Sequence, residues 1–234
     1  MKYQEACQHT EGGKGAHHLC VSIVPIFNHL QNEEMEEVAK TTRSISLKKG
    51  ELLHSAGDAS DSLYIVHQGK VKVYRLSENG KEQLIRILQP GDFTGELALF
   101  KESIHDGYAE AMEKTDICSI QRGNLQEFLQ RYPNISLKIL SEFSNRLGQA
   151  ESQMTSFATE DVETRIGLYL AQQVEENKST EYRLPMSRKD LASFLGTTPE
   201  TISRKLAKFE DEGWIEQEDQ RRIRVLDLDA LLLI

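Results

Sequence analysis

The 234-residue chain has no uninterrupted apolar run long enough to cross a membrane, and its first residues lack the apolar core of a signal peptide. We therefore expect a cytoplasmic protein that makes no use of a membrane. The sequence also has no P-loop, no glycine-rich dinucleotide fingerprint and no Ser/His/Asp pattern, so the common enzyme classes are disfavoured. Its apolar and charged fractions, 38% and 28%, are those of a folded globular protein.

Cysteine is scarce, and the 28 lysines and arginines are outnumbered by 37 aspartates and glutamates. Cys7, Cys20 and Cys118 are an odd number of thiols, which excludes a complete intramolecular disulfide framework and leaves metal binding or redox chemistry open. The formal net charge of -9 argues against loose, sequence-blind coating of nucleic acid. It does not exclude DNA binding, because the field that matters is local and an acidic protein can carry one basic face.

Four segments of different character follow one another, and together they predict an α+β fold. Residues 1–22 contain two cysteines and three histidines without apolar periodicity, and are interpreted as an N-terminal arm. Residues 23–132 begin with a helical pattern over about 26–39. They continue with short β-rich runs separated by glycines, which predict a β-roll or jelly-roll effector domain. Residues 133–158 predict one long helix, and residues 159–234 a compact C-terminal unit.

The predicted long helix carries an apolar stripe at alternating three- and four-residue spacing. This is the spacing of a coiled-coil seam, although an amphipathic helix buried in its own domain gives the same pattern. We favour the seam of a homodimer, because the C-terminal unit has the pattern of a protein that works with two-fold symmetry. The predicted seam residues are Leu140, Phe143, Leu147, Ala150, Met154 and Phe157.

Two short helices joined by a glycine turn are predicted within the C-terminal unit. Ser187 is a good N-cap for a helix over 188–195, and Gly196 follows where a tight turn is needed. Thr198 or Thr197 is expected to cap the second helix, whose first turn contains Pro199.

A small core and a β-hairpin complete the predicted unit. Gly213 ends the second helix, and two apolar pairs flank the polar stretch EQEDQRR as the strands of a hairpin wing. Helix, turn, helix and hairpin are typical of a winged helix-turn-helix. A helix before this unit is expected to begin at Thr159 or Thr164. The predicted core is Leu191, Leu195, Ile202, Leu206 and Phe209.

The second of these helices has side chains that can read DNA. Glu200, Ser203 and Arg204 share one face near its N-terminal half, where Arg can donate twice to guanine and Glu can accept from cytosine. A solvated helix face with ordinary salt bridges would have the same charges. The full pattern of cap, turn, core and wing nevertheless favours DNA binding. The candidates for phosphate contacts are Thr198, Lys205, Lys208, Arg221 and Arg222.

Two stretches resemble the Crp/Fnr family of transcription regulators. TTPETISRKLAKFEDEGWI resembles its recognition helix and GDFTGELALF its effector-domain signature, and the similarity follows nearly the whole chain in order. It implies a homodimer with RNA polymerase as a partner. Glu200, Ser203 and Arg204 match the E-x-x-S-R pattern of the fumarate-nitrate branch, and Pro199 stands where cAMP-type members have arginine. The implied DNA site is a palindrome near TTGAT-n4-ATCAA.

The resemblance also implies where an effector would bind. Cyclic-nucleotide-binding members hold the phosphate on a Gly-Glu turn, here Gly95 and Glu96, and on an Arg-Ser or Arg-Thr pair further along. That pair is replaced here by Asp106 and Gly107. An acidic side chain repels a phosphate, so we expect that Gly95 and Glu96 are kept as structural elements and that cAMP is not bound.

The fumarate-nitrate branch carries a 4Fe-4S cluster on four cysteines. By resemblance, HHLCVSIVPIF puts Cys20 and TDICSI puts Cys118 on ligand positions, with Cys7 as a third. A fourth ligand would have to be another residue, such as His9, His17 or His18. A reversible disulfide, zinc on Cys and His, and thiols without any sensory role remain alternatives. We expect sensing of oxygen or redox state.

The β-rich segment alone would also suit a second class of function. Jelly-roll domains also host small-ligand binding and metal-dependent catalysis, and then the C-terminal unit would not be a DNA reader. That interpretation needs clustered histidines and carboxylates on neighbouring strands, whereas His54, His67 and His105 lie far apart in the sequence. We therefore expect a DNA-binding regulator and not an enzyme.

Overall fold

The computed structural model describes residues 21–100 and 102–234. Cys7, Cys20, His9, His17 and His18, the arm residues with candidate redox or metal roles, lie outside the described residues. The chain divides into two compact units, one of residues 1–76 and 85–145 and the other of residues 77–84 and 146–234. No helix in the described part of the chain is long and apolar enough to cross a membrane.

The first unit is built on antiparallel strands. The strands are β1 Arg43–Leu47, β2 Leu52–His54, β3 Ala59–Ser60, β4 Ser62–Gln68, β5 Val71–Leu76, β6 Glu82–Leu88, β7 Phe93–Thr94, β8 Ser103–Ile104, β9 Tyr108–Ala111 and β10 Thr115–Gln121. One sheet has the order β1-β10-β4-β7, a second has the order β2-β9-β5-β6, and β3 pairs with β8. Glycines with positive φ occupy several of the turns, as the punctuated sequence pattern predicts.

One helix that precedes the strands in the sequence and two that follow them pack on this β-roll. Helix α1 covers Asn32–Lys40, α2 covers Arg122–Arg131 and α3 covers Pro133–Thr159. The helical pattern predicted over about 26–39 is therefore only partly right, because the α-helix begins at Asn32. The carboxylate of Glu34 accepts the backbone N–H of Gln31 at 2.8 Å and fixes that start.

One apolar cluster joins these helices to the β-roll. Several residues of the turns over 23–30, before α1, are also buried in it, and Phe27 is completely buried. Burial of these side chains contributes to stability in proportion to the apolar area removed from water. The cluster contains Val21, Val24, Ile26, Phe27, Leu30, Met35, Val38, Leu63, Ile65, Phe93, Cys118, Ile120, Leu125, Phe128, Ile135 and Ile139.

The second unit contains α4 Val162–Asn177, α5 Arg188–Phe194, α6 Pro199–Asp211 and α7 Leu228–Leu232. Three strands lie beside them, β11 Glu181–Arg183, β12 Ile215–Gln217 and β13 Arg222–Val225, and form a sheet of order β11-β13-β12. The sequence predicted β12 and β13 but not β11 or α7. The phenol of Tyr182 on β11 donates to the carbonyl of Leu170 at 3.0 Å, which ties this strand to α4.

The start of α4 differs from the prediction. Asp161 is the N-cap, and its carboxylate accepts the backbone N–H of Thr164 at 2.9 Å. Neither Thr159 nor Thr164 caps the helix: Thr159 is the last residue of α3, and Thr164 donates to the cap. Asp ranks above Thr as an N-cap, so the local chemistry agrees with the observed start.

Candidate DNA-binding surface and effector cavity

The two helices of the C-terminal motif begin at the residues that the sequence predicts. Ser187 caps α5 and closes a capping box with Asp190, and Thr198 caps α6 by accepting the backbone N–H of Thr201 at 3.2 Å. Pro199 occupies the first turn of α6. These bonds satisfy amide groups that have no partner within the helices and so fix where each helix starts.

The turn between α5 and α6 depends on glycine. Gly196 has a φ of +69°, in the left-handed region, and a β-carbon added to it would lie 3.2 Å from the ring of Phe157. Phe157, predicted in the dimer seam, is therefore in contact with the turn of the helix-turn-helix. The guanidinium of Arg165 lies over the same ring, 5.2 Å from its centroid.

Apolar side chains between α5, α6 and the wing fix the orientation of the second helix. All five residues of the predicted core are buried. The ring of Phe209 also packs on Trp214 at the start of the wing, with centroids 5.3 Å apart. The opposite side of α6 therefore faces away from this core.

That opposite side carries the predicted base-reading residues. Glu200 and Arg204 are exposed and Ser203 is half-buried. Hydrogen bonds from the backbone and from the Thr198 hydroxyl lower the pKa of Glu200, so its carboxylate stays ionised as an acceptor. Within the described part of the chain, Arg204 makes no ion pair.

Arg188 contacts both the reading helix and the wing, a role that the sequence did not reveal. Its Nη1 donates to the Oγ of Ser203 at 3.3 Å, and its Nη2 donates to the Oε1 of Gln217 at 2.7 Å. Its Nε donates to the carbonyl of Gln220 at 3.3 Å. Arg188 lies 15 residues before Ser203 in the sequence, so spacing alone did not link the two.

Three of the predicted phosphate contacts already have partners within the chain. Glu163 on α4 forms ion pairs with Lys205 and Lys208. In the wing, Arg222 forms an ion pair with Glu218, its Nη1 lying 3.1 Å from Oε2. Of the other two candidates, the hydroxyl of Thr198 is used as a helix cap and Arg221 is half-buried.

The predicted seam residues on α3 are exposed to different degrees. Leu140, Leu147 and Met154 are about 60–70% exposed, and Ala150 is also exposed. Phe143 packs against the β-roll cluster and meets the ring of Phe100 edge to face at 5.7 Å. Leu137, which lies outside the predicted seam, is 65% exposed and extends the apolar stripe towards the start of the helix.

A cavity of about 210 Å³ opens beside the Gly95–Glu96 turn in the β-roll. Gly95 has a φ of +83°, and a β-carbon there would lie 2.3 Å from the carbonyl oxygen of Ser62, so the turn needs glycine for structural reasons. Glu96 forms an ion pair with Arg86 at 3.0 Å. Asp106 lines the cavity as expected, and Arg75 forms an ion pair with it.

Cys118 lies on β10 between β1 and β4 and is 2% exposed. Its side chain belongs to the same buried cluster as Val21, the residue that follows Cys20 in the sequence. Among the described residues, no group of three or more Cys, His, Asp or Glu side chains could hold a metal ion. A centre involving Cys118 would need ligands from the segment before Val21.

A β-roll with an effector-type turn, a long helix and a winged helix-turn-helix together define a DNA-binding regulator. Family models agree: residues 44–132 match the cyclic nucleotide-binding domain and residues 164–234 the Crp-like helix-turn-helix domain. The chain belongs to the Crp/Fnr family of transcription regulators. The predicted family and α+β fold are thereby confirmed, and the named relatives are regulators and not enzymes.

Three similar proteins show the range of the family. The probable transcriptional regulator flp of Lacticaseibacillus casei is 32% identical over 214 residues, which cover 92% of this chain and 97% of that protein. The anaerobic regulatory protein of Haemophilus influenzae is 27% identical over 219 residues, covering 92% and 83%. The structure of FixK2 from Bradyrhizobium japonicum has a TM-score of 0.72 and 25% identity, covering 81% and 95% of the two chains.

Proposed function

We propose that this regulator is a homodimer that reads a palindrome near TTGAT-n4-ATCAA through Glu200, Ser203 and Arg204. The observation that carries the proposal is the difference between Arg204 and the other cations of α6. Arg204 is exposed and makes no ion pair within the described chain, whereas Lys205 and Lys208 are held by Glu163. An arginine without a partner keeps its donors available for a guanine edge in the major groove.

Fluorescence anisotropy with a labelled palindrome tests this proposal. We expect tight binding to the palindrome, weaker binding to a duplex with scrambled half-sites, and an affinity that falls steeply with salt. The matched control for a charge removed from the reading face is Lys189→Ala. This variant removes one positive charge from α5, outside the proposed reading face, and should keep the preference for the palindrome. Equal affinity for both duplexes would overturn sequence-specific reading.

The dimer proposal rests on the α3 stripe. Leu137, Leu140, Leu147 and Met154 follow one another at steps of three and seven residues, which keeps them on one side of a helix. They are exposed in the single chain, and exposed apolar side chains grouped in this way mark an interaction surface. A second copy of the chain is the occupant that a palindromic DNA site requires.

We further propose that DNA binding responds to oxygen or redox state through Cys118 with Cys7 and Cys20. Two observations support this: Cys118 and Val21 share one buried cluster, and one similar protein is named an anaerobic regulatory protein. The chemistry is an iron–sulfur cluster with one ligand other than cysteine, a reversible disulfide, or zinc. In each case a bond between the N-terminal segment and β10 biases the regulator between two states.

Anaerobic purification followed by a visible spectrum and iron, sulfide and zinc analysis separates these chemistries. Broad absorbance with stoichiometric iron and sulfide, lost in air, supports the cluster. Zinc, or thiols that oxidise reversibly in pairs, supports one of the other two. Cys118→Ser should abolish the response, and DNA binding that is identical in reduced, oxidised and Cys118→Ser protein would overturn redox sensing. We also propose that the regulator is located in the cytoplasm and that it contacts RNA polymerase.

A further inference from the structure

The last turn of α5 is bonded to the tip of the β5–β6 hairpin. Residues 77–84 belong to the same compact unit as the helix-turn-helix. The hydroxyl of Ser193 donates to the carbonyl of Glu82 and accepts the backbone N–H of Leu84, both at 2.8 Å. Glu82 and Leu84 are alternate residues of β6, which is the last strand in the order of its sheet. One serine side chain therefore satisfies a donor and an acceptor on the free edge of this strand.

A further bond joins the same two elements. The side-chain amide of Gln83 donates to the carbonyl of Phe194 at 3.3 Å. Phe194 is the last residue of α5, and the carbonyls of a final helical turn have no partner within their helix. Gln83 therefore caps the end of α5. We call these contacts of Glu82, Gln83 and Leu84 with Ser193 and Phe194 the hairpin clamp.

The end of α5 is also held by α3 and α4. The side-chain amide of Gln153 on α3 donates to the same Phe194 carbonyl at 3.4 Å, and the Nε of Arg165 on α4 donates to the carbonyl of Leu195 at 3.2 Å. A carbonyl oxygen has two lone pairs, so Phe194 can accept both amides. The turn that leads into the reading helix is therefore fixed by two sets of contacts, the hairpin clamp and the bonds to α3 and α4.

The hairpin clamp can be opened by removing one oxygen atom. Leu84 is completely buried, and Gln83 and Ser193 are half-buried. A buried N–H that loses its partner costs free energy beyond the bond itself, because water does not replace the partner. Alanine in place of Ser193 makes neither bond to β6, yet it favours a helix more than serine does. The clamp and the stability of α5 are therefore separable at this position.

A dimer on a palindrome needs its two reading helices at one fixed separation. Each base pair inserted between the half-sites moves them apart by about 3.4 Å and rotates them by roughly a tenth of a turn. A helix-turn-helix that moves on its support loses this freedom whenever DNA binds, and the loss weakens binding. One that is fixed beforehand binds more tightly at the correct separation and rejects half-sites at the wrong one.

We propose that the hairpin clamp holds each helix-turn-helix at the separation that the palindrome requires, with Ser193 as the positioning residue. Ser193 acts through the end of α5 on the turn before the reading helix. The proposal deepens the proposed function, because it rests on the homodimer and on its palindromic site. It adds one property that base reading alone does not imply, namely that Ser193 controls the sensitivity to the number of base pairs between the half-sites.

Fluorescence anisotropy of Ser193→Ala on four duplexes tests the clamp. They are the n4 palindrome, the same half-sites separated by three or by five base pairs, and a single half-site. One net hydrogen bond is worth about fivefold in an equilibrium constant, so binding to the n4 palindrome should weaken about fivefold or more. The preference for n4 over the other two spacings should fall by a similar factor. Affinity for the single half-site should not change, whereas a damaged helix-turn-helix would lose it.

The matched control is Ser179→Ala. Ser179 precedes β11 and makes the same two kinds of bond, since its hydroxyl donates to the carbonyl of Glu181 at 2.8 Å and accepts the N–H of Glu181 at 3.1 Å. This variant should bind all four duplexes like the wild type. Ser193→Thr, which keeps the hydroxyl group, should retain most of the preference for n4.

Amide hydrogen exchange detects the clamp without DNA. The N–H of Leu84 should exchange about fivefold faster or more in Ser193→Ala than in the wild type, because its acceptor is gone, while the amides of α6 keep their protection. If Ser193→Ala fails to fold, Gln83→Ala takes its place on the four duplexes. That variant removes the other bond of the clamp from the hairpin side, and the same direction of change is expected.

Three results would overturn the clamp: an unchanged preference for n4 in Ser193→Ala, an equal loss of affinity for the single half-site, or tighter binding of the n4 palindrome by the variant. In each case the proposed base reading stands as long as the wild type prefers the palindrome to the scrambled duplex. Equal affinity of the wild type for those two duplexes would instead overturn the proposed function, and the clamp with it.

Discussion

The carboxylate of Glu163, at the start of α4, accepts a hydrogen bond from the ammonium group of Lys205 on α6. The same carboxylate also accepts from Lys208, one turn further along α6. Two lysines that the sequence predicted as contacts to DNA phosphates are thus held in ion pairs within the chain. If both lysines contact DNA phosphates as predicted, Glu163 competes with DNA for them.

Glu163→Gln should therefore increase DNA affinity in general and sharpen its salt dependence. Each lysine that is released and reaches a phosphate steepens the slope of log affinity against log salt by about 0.9. Anisotropy on a random duplex from low to moderate salt measures this slope. Glu175→Gln, which removes the same charge from an exposed position on α4, is the matched control, and equal slopes in the two variants would contradict the competition.

The same ion pairs make a pH-dependent contribution to stability. Hydrogen bonds from Lys205 and Lys208 lower the pKa of Glu163 below its ordinary value. The contribution is therefore complete above the unfolded-state pKa, about 4.3, and is lost as the pH falls from there through the folded-state pKa. Wild-type protein should exceed Glu163→Gln in Tm at pH 7, and the difference should shrink in acid. If the difference in Tm between the two proteins stays constant down to pH 3, it does not come from the ion pairs of Glu163.

Gly196→Ala should destabilise the helix-turn-helix by about 1–3 kcal/mol. The added methyl group meets both an unfavourable positive φ and the ring of Phe157 at 3.2 Å. Urea unfolding followed by circular dichroism measures the change. Gly123→Ala is the control, because Gly123 lies in α2 with open space around it and alanine favours a helix by about 0.5–1 kcal/mol. Similar changes in the two variants would refute the steric account.

Leu147→Glu should convert the proposed homodimer to a monomer without unfolding it. Leu147 is 61% exposed in the single chain, so a charge there costs little until a second α3 covers it. Light scattering after gel filtration measures the mass. The control Leu233→Glu, at an 84% exposed position near the C-terminus, should leave the mass of a dimer. If the Leu147→Glu variant is still a dimer, the dimer interface lies elsewhere on the chain.

Local chemistry made the helix-turn-helix predictable from sequence. Ser187, Gly196 and Thr198 act within a few residues of their own positions, and a cap or a left-handed glycine has few alternative uses. The short turns of the β-roll could be predicted from the sequence for the same reason.

Features that depend on distant residues could not be predicted in this way. His54 and His105 are 51 positions apart and meet only because of the pairing of β2 with β9 and of β3 with β8. Arg75 and Arg86 reach the cavity from β5 and β6, although no arginine lies near Asp106 in the sequence. Glu163 similarly precedes Lys205 by 42 residues, so its ion pair had no local signal.

The most direct test of sequence reading compares wild-type protein and Arg204→Ala on two duplexes. One is the palindrome, and in the other the single G·C pair of each TTGAT half-site is replaced by A·T. Wild-type protein should prefer the palindrome, and Arg204→Ala should lose about 1–3 kcal/mol of that preference per half-site while binding random DNA nearly unchanged. Equal losses on the palindrome and on random DNA would show that Arg204 contacts only phosphates and would contradict the account.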